Sequence, residues 1–186
     1  MNYSEEQMVK GCIKRDEKSR LMLYQKYARP VYAHILRYTR NKEDAEDILQ
    51  ETFITVFCKI RQVRNNKSLW SWIQTISINQ TLIYYRKKNR FMPKDTSMED
   101  FWTNNQVIDE SIVWKDDLSY QKLLEVVQKL PDIYRLVFNL CEIDGFTIKE
   151  AAEKLHCSNR ICSLHLSRAK KLLQEKINDL IKMEVI

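Results

Sequence analysis

The chain of 186 residues is 44% apolar, which excludes wholesale disorder, and its two glycines and three prolines leave little material for the turns of a β-rich protein. The scarcity of these turn residues predicts an all-α fold. No apolar run approaches the length of a membrane span, and the N-terminal MNYSEEQMVKG lacks the apolar core of a signal peptide, so we expect a cytoplasmic protein. The net charge of +6 favours a polyanionic partner.

The charge is distributed unevenly along the chain. Residues 1–90 carry 18 Lys/Arg against 9 Asp/Glu, residues 91–117 carry 2 against 7, and residues 118–186 carry 11 against 9. Two basic blocks separated by an acidic strip predict two small helical domains, 1–90 and 118–186, joined by an acidic flexible linker at 91–117. The linker aromatics Phe101, Trp102 and Trp114 could dock on a domain or on a partner.

The first domain is predicted to begin with two helices. SEEQ forms a capping box from Ser4 to Gln7 and opens a short helix. A second helix is predicted from Glu17 to Tyr38, and Pro30 should kink or interrupt it. Its predicted inward stripe consists of Leu21, Tyr24, Ala28, Val31, Ile35 and Tyr38.

The stretch from Asn41 to Phe57 has a strong helical periodicity of apolar residues and is strongly amphipathic. One helix face is apolar from Ala45 to Phe57, and Asn41 is a suitable N-cap. Acidic and amide residues crowd the first turns and the opposite side: Glu43, Asp44, Glu46, Asp47, Gln50 and Glu51. This exposed acidic back is either an ordinary solvated surface or a protein-binding surface, and the basic character of the rest of the chain favours the second reading.

A long helix is predicted from Ser68 to about Arg90, after a basic loop that ends at Lys67. Its expected core stripe is Leu69, Trp72, Ile73, Ile76 and Ile83. Aromatic and cationic groups are expected outside: Trp70, Asn79, Tyr84, Arg86, Lys87, Lys88 and Arg90. Such a face is typical of single-stranded nucleic acid sites, although an ordinary solvated face is about equally compatible with it.

The second domain is predicted to contain a helix-turn-helix. One helix is expected around Leu123 to Leu130 and another from Asp132 to Ile143, followed by a turn at Asp144-Gly145. TIKE, a capping box at Thr147 to Glu150, opens a short helix, and HCS turns the chain into a last helix from Asn159 to near Met183. The pair is compatible with a DNA-binding unit and with a plain structural hairpin.

The last helix carries a candidate DNA-contacting face. Cys162, Leu166, Ala169 and Leu173 are expected inward. The outward set is Arg160, Ser163, Leu164, Ser167, Arg168 and Lys171. Arginine reads guanine edges or phosphates and serine donates to either, so these side chains suit a major groove.

Catalytic and metal-dependent functions are not supported by the residues. His156, Cys157, Cys162 and His165 have the wrong spacing for a common zinc site, and no glycine loop for nucleotide phosphates is present. The five cysteines are odd in number and scattered, which fits free thiols in a reducing compartment. We expect no enzyme activity and no cofactor.

Five motifs in this order resemble the sigma-70 family of bacterial sigma factors, in its short extracytoplasmic-function (ECF) group. They are LYQKY at 23–27, DAEDILQETF at 44–53, WIQTISIN at 72–79, LPDIYRLVF at 130–138 and DGFTIKEAAEKL at 144–155. The resemblance implies a factor that binds core RNA polymerase and directs promoter-specific initiation. Two departures are Ile83, where the family often has Asp, and Arg160-Ile161-Cys162 in place of a frequent Gly-Thr-Val.

The resemblance also implies roles for individual residues. Core polymerase would be bound by Asp44, Asp47, Gln50 and Glu51. The −10 element would be captured as single strand by Lys67, Trp70, Asn79, Arg86 and Arg90. The −35 element would be bound as duplex by the outward face of the last helix, and an anti-sigma factor is an expected partner. The alternative is a helix-turn-helix regulator that binds duplex DNA without replacing a polymerase subunit.

Overall fold

The computed structural model describes residues 4–63, 68–88 and 120–184, and within them it contains eight α-helices and no strand. The helices are α1 (Glu5–Ile13), α2 (Glu17–Leu36), α3 (Lys42–Lys59), α4 (Leu69–Lys87), α5 (Tyr120–Gln128), α6 (Asp132–Phe138), α7 (Ile148–Leu155) and α8 (Asn159–Glu184). The predicted all-α class is confirmed. In the described residues, no helix is long and apolar enough to cross a membrane.

The backbone divides into two compact units, residues 1–84 and 85–186. The predicted linker, 91–117, lies outside the described residues together with its three aromatics. The domain limits at 90 and 118 therefore stay a prediction.

Side-chain caps fix the first two helix starts, and the first of them is the capping box that the sequence predicts. In α1 the Ser4 backbone N–H donates to Gln7 Oε1 at 2.9 Å, and the Gln7 N–H donates to Ser4 Oγ at 3.2 Å. In α2 the Ser19 N–H donates to Asp16 Oδ2 at 2.8 Å. α1 and α2 approach so closely at Gly11 that an added Cβ would lie 1.9 Å from Ser19 Oγ, which explains one of the two glycines.

The inward face of α2 differs from the predicted stripe in its first half. Leu23 and Tyr27 are buried, whereas Leu21 is 55% exposed and Tyr24 is also exposed. The first half of the helix carries apolar residues on two faces, so periodicity alone could not select between them. From Val31 onward the prediction is confirmed, since Val31, Ile35 and Tyr38 are all buried.

Pro30 does not interrupt α2. The helix is continuous from Glu17 to Leu36, and the exposed Pro30 lies inside it. The predicted interruption is therefore wrong, and the alternative of a kink stays a prediction. The missing N–H removes only one hydrogen bond from a helix whose inner face is held by packing on both sides of the proline.

The first unit has one apolar core built from its four helices. α4 contributes Leu69, Ile73 and Ile76 to this core, as predicted. The core residues from α1 to α3 and the following short turn are Cys12, Leu23, Tyr27, Val31, Ile35, Ala45, Ile48, Phe53, Val56 and Ile60. Ile83 was wrongly predicted to be inward, because it is 37% exposed.

The second unit has a separate core formed by α5, α6 and α8. Its buried members are Val126, Val127, Leu130, Phe138, Ala169, Leu173 and Ile177. α6 continues into a wider π-type turn at Asn139–Ile143, so the predicted helix from Asp132 to Ile143 is confirmed as one continuous stretch. Gly145 follows with a positive φ of 75°, which suits the predicted Asp144-Gly145 turn.

A fully buried arginine joins α5 to α6. Arg135 Nη1 donates to the carbonyls of Leu130 at 2.8 Å and Gln128 at 3.1 Å, and Arg135 Nη2 contacts Asp132 Oδ1 at 2.6 Å. These acceptors lie at the end of α5 and in the turn after it, where a helix needs hydrogen-bond donors from outside itself. The guanidinium therefore fixes the turn at Pro131, which the sequence predicts as the end of α5.

Candidate nucleic-acid and protein interfaces

Helix α3 presents an exposed polar row opposite its core face. Asn41 caps the helix by accepting the Asp44 N–H at 2.8 Å. Asp47, Gln50 and Glu51 are exposed, and their spacing of three and four residues places them on one face. The predicted acidic surface therefore exists at these three residues.

Asp44 does not belong to this exposed surface. Its side chain lies on the flank that faces α4, is 6% exposed, and accepts a hydrogen bond from the Tyr84 hydroxyl. The prediction of an exposed Asp44 is wrong, since a partner forty residues away covers it. Tyr84 was likewise expected outside and is half-buried.

An apolar border beside the acidic row was missed by the sequence analysis. Ile54 lies one turn after Gln50 and is 56% exposed. The ring of the exposed Tyr24 on α2 contacts Phe53 edge-on with centroids 4.8 Å apart, so Tyr24 lies beside α3. The available signal was an isoleucine on the polar face of an amphipathic helix. Acids bordered by exposed apolar groups are typical of a protein interface.

The residues predicted for single-strand capture are only partly described. Lys67 and Arg90 lie outside the described residues. Asn79 is exposed on α4, and Arg86 is half-buried in its last turn.

Trp70 is less exposed than the sequence predicts. It is half-buried against the core of the first unit, and its ring lies nearly parallel to that of Tyr27 with centroids 6.3 Å apart. Tyr27 is in turn held by a hydrogen bond from its hydroxyl to Glu5 Oε1 at 2.5 Å. Burial, and secondly the hydrogen bond to Glu5, raise the pKa of Tyr27 above its ordinary value, so the phenol stays protonated.

The helix-turn-helix is present in the second unit. Thr147 donates from its backbone N–H to Glu150 Oε2 at 2.8 Å and accepts the Glu150 N–H at 3.3 Å, which confirms the predicted capping box of α7. Hydrogen bonds from Thr147 hold the pKa of Glu150 below its ordinary value. Ala151 and Ala152 are buried, and their small side chains allow α7 and α8 to cross closely.

The turn between α7 and α8 contains a residue with a left-handed backbone conformation. His156 ends α7 with a φ of 54°, and Ser158 Oγ accepts the Ile161 N–H at 3.3 Å at the start of α8. The backbone conformation of His156 and the hydrogen bond to Ser158 both involve residues that are close in sequence, so the HCS sequence already specifies this turn.

The first half of α8 carries the predicted outward face. Arg160, Ser163, Leu164 and Lys171 are exposed, and Ser167 and Arg168 are half-buried at its edge. On the other side Cys162, Ala169 and Leu173 are fully buried, as predicted. The helix therefore offers cationic and hydroxyl groups on a single face.

His165 takes part in packing. Its ring lies 5.4 Å from that of Tyr134, and burial, with a smaller contribution from Arg168, lowers the pKa of His165 to about 4. The imidazole is therefore neutral near pH 7. In the part of the chain that the structure describes, no group of three or more His, Cys, Asp or Glu side chains is arranged to hold a metal ion.

Two family models match the chain. The model of sigma-70 region 2 matches residues 23–91, and that of sigma-70 region 4 matches residues 120–173. The first match contains α3 and α4, and the second contains the helix-turn-helix.

Similar proteins align over nearly the full length. The ECF RNA polymerase sigma factor SigW of Bacillus subtilis is 27% identical, with 94% of this chain and 100% of SigW covered. The ECF sigma-E factor of Escherichia coli K12 is 23% identical, with 94% and 95% covered. Among solved structures, the sigma factor RpoE of Bartonella quintana, crystallised with the anti-sigma factor NepR, is 21% identical with a TM-score of 0.52, covering 84% of this chain and 95% of RpoE.

The matched regions, their order and the full-length alignments agree with the five motifs and with the observed all-α fold. The chain therefore belongs to the sigma-70 family, in its ECF group, and is a non-enzymatic sigma factor that directs transcription initiation.

Proposed function

We propose that the protein docks on core RNA polymerase through the exposed row Asp47, Gln50 and Glu51 of α3, with Ile54 as its apolar border. The observation that supports this most is an acidic, partly apolar face in a domain whose net charge is strongly basic. Phosphates would be repelled by these carboxylates, whereas a protein surface with basic and apolar groups would complement them. Asp44 acts inside the domain and is excluded from the contact.

Each of the two domains would bind a different promoter element. Residues 1–90 would serve polymerase docking and the −10 element, residues 118–186 would bind the −35 element, and residues 91–117 would connect them. This assignment follows the family resemblance and the two compact units.

Capture of the −10 strand is proposed for Asn79 and Arg86 on α4, with Lys67, Trp70 and Arg90. One side of the Trp70 indole lies toward Tyr27, so a captured base would stack on the other side. Base stacking of about 1–3 kcal/mol per base would offset an unpairing cost of similar size.

Duplex binding at the −35 element is proposed for the exposed face of α8. Arg160, Arg168 and Lys171 would contact phosphates or guanine edges, and Ser163 and Ser167 would donate to either. Leu164 would contact a thymine methyl group.

The proposed partners are core polymerase, promoter DNA and an anti-sigma factor, and the proposed compartment is the cytoplasm. The anti-sigma proposal is supported by the Bartonella relative, whose crystal structure contains such a factor. No candidate contact for this partner is assigned among the described residues.

Transcription of genomic DNA fragments by sigma-free core polymerase, with sequencing of the transcript 5′ ends, tests the proposal. Addition of the protein should create start sites that are absent without it and that share two upstream elements at fixed spacing. If no such start sites appear while the protein alone binds duplex DNA, the regulator alternative is correct and the sigma mechanism is wrong.

A further inference from the structure

Two large apolar side chains are exposed near the start of α8. Ile161 is 38% exposed and Leu164 is 41% exposed. They are three residues apart in the helix, so their side chains are neighbours on its surface. Leu164 belongs to the face proposed to bind the −35 element, whereas Ile161, at the edge of that face, has no assigned role.

The packing of α8 holds this pair outward. Cys162, the residue after Ile161, and Ala169, five residues after Leu164, are both fully buried. Successive residues are about 100° apart around an α-helix, so a rotation that turned the pair inward would bring the two buried side chains to the surface. In addition, the Ile161 backbone N–H donates to Ser158 Oγ at 3.3 Å, which fixes the first turn of the helix. The pair is therefore exposed because of how the second unit packs.

The charge around the pair indicates what kind of partner covers it. Arg160 and Lys171 are exposed on the same side of α8, and Arg168 is half-buried one turn after Leu164. The helix has no Asp or Glu before Glu175. Apolar groups bordered only by cations suit a polyanion that also offers apolar groups. Duplex DNA does so in its major groove, where each thymine presents a 5-methyl group between the two rows of phosphates.

We propose that Ile161, together with Leu164, reads the 5-methyl groups of two thymines in the −35 element. The proposal rests on the assignment of α8 to that element and adds Ile161 as a residue that determines sequence preference. Isoleucine and leucine side chains have no hydrogen-bonding group, so they distinguish bases by apolar contact. Cytosine lacks the methyl group and presents an amino group, which an apolar side chain would leave without an acceptor.

The spacing of the pair limits which thymines can be read. Side chains three residues apart on a helix have Cβ atoms about 5–6 Å apart. Bases along one strand of a duplex are about 3.4 Å apart. The two thymines should therefore be neighbours or be separated by one base pair. Branching at Cβ restricts the Ile161 side chain in a helix, so little rotamer freedom is lost on contact.

A uracil scan of a promoter tests the proposal with the unmodified protein. Holoenzyme is assembled from sigma-free core and the full-length protein, and a promoter identified by its transcription start site is synthesised with single thymines of the −35 element replaced by deoxyuridine. Deoxyuridine lacks only the 5-methyl group. We expect affinity to fall about fourfold at each of two positions, the loss expected for one methyl group that is no longer buried. Replacement of thymines between the two promoter elements should change nothing.

Variants connect the two positions to the two side chains. Ile161→Ala should abolish the uracil effect at one position and Leu164→Ala at the other, so that thymine and uracil bind equally well there. Ile161→Val retains the branching at Cβ and should retain most of the effect. The matched control is Ile143→Ala, since Ile143 is 42% exposed in the same unit but lies outside α8. It should leave both effects unchanged.

The outcomes separate this proposal from the assignment of α8 to the −35 element. If no position shows a uracil effect while Arg168→Ala with Lys171→Ala still weakens promoter binding, the thymine readout is wrong and the assignment stands. If neither change matters, both are wrong. A uracil effect that persists at every position in Ile161→Ala removes Ile161 from the readout. A loss of core affinity in that variant without DNA would show that the pair covers a protein surface instead.

Discussion

Single residues in this protein have roles that depend on distant partners. Asp44 shares its helix with the exposed acids yet accepts the Tyr84 hydroxyl inside the first unit. Trp70 was expected outside and is half-buried against the core, with its ring beside that of Tyr27. In both cases the residue type suits binding, and the neighbouring helix changes what the side chain does.

Removal of the Asp44–Tyr84 hydrogen bond should lower stability rather than polymerase affinity. Asp44→Asn and Tyr84→Phe should each reduce the free energy of unfolding by about 2 kcal/mol, because the bond involves a carboxylate shielded from water. The double variant should lose clearly less than the sum of the two, which urea denaturation would measure.

The matched control for this cycle is Glu43→Gln, a neighbouring acid that is exposed on α3. It should change stability by less than about 0.5 kcal/mol. Strict additivity of the Asp44 and Tyr84 effects would contradict the structural role assigned to the pair.

At the scale of elements, α3 and α8 each combine a core face with an exposed face of definite chemistry. The core face of α3 holds the first unit through Ala45, Ile48 and Val56, and its other face is acidic with an apolar border. α8 contributes Ala169 and Leu173 to the second core and presents cations and hydroxyls outward. Each helix can therefore lose its exposed groups without losing its packing.

Charge reversal on α3 should weaken polymerase binding without unfolding the domain. Asp47→Lys with Glu51→Lys should reduce core affinity about tenfold or more, because two carboxylates at a complementary surface become cations. Fluorescence anisotropy with labelled protein and sigma-free core would measure the change.

The chain contains a control with the same residue types and the same spacing. Glu175→Lys with Asp179→Lys reverses two exposed acids four residues apart on the distal part of α8, beyond the matched region 4. This pair should leave core affinity unchanged. Equal losses from both pairs would indicate a net-charge effect and remove the docking assignment.

The whole molecule combines two compact units with different exposed chemistry. An acidic surface lies in the first unit and a cationic helix face in the second, and the region matched by each family model lies largely or wholly in one of them. A sigma factor needs both functions at once, since polymerase docking and promoter recognition are separate steps of the same event.

The two surfaces should therefore fail in different ways during transcription. On an intact promoter, Arg168→Ala with Lys171→Ala should cost about 1–3 kcal/mol per lost contact in promoter binding, whereas Lys129→Ala, an exposed lysine off the α8 face, should not. On a template with a scrambled −35 element, the α8 variants should lose little further activity, because their target is already absent.

The α3 reversal should reduce transcription on both templates by the same factor, since it acts before DNA is recognised. Quantified run-off transcripts at fixed salt give both comparisons. If the α8 variants lose as much transcription on the scrambled template as on the intact one, this face does not bind the −35 element.

Several features of the fold were predictable because they depend on neighbours in sequence. The capping boxes at Ser4 and Thr147 are each complete within four residues, and the periodicity of α3 sets its inward face. The turn from α7 to α8 follows from the HCS sequence, and the two small alanines before it allow the helices to cross closely. The family followed from five such local motifs in one order.

The sequence by itself determined the all-α class, most helix limits, the helix-turn-helix and the family, since each depends on short-range spacing. Only the tertiary structure decided which of two apolar faces of α2 turns inward, that Asp44 is buried by Tyr84 and that Ile54 borders the acids of α3. The physical reason is that burial and hydrogen bonding depend on side chains supplied by other helices. Their approach is set by packing across the whole unit and is not encoded in the periodicity of any one segment.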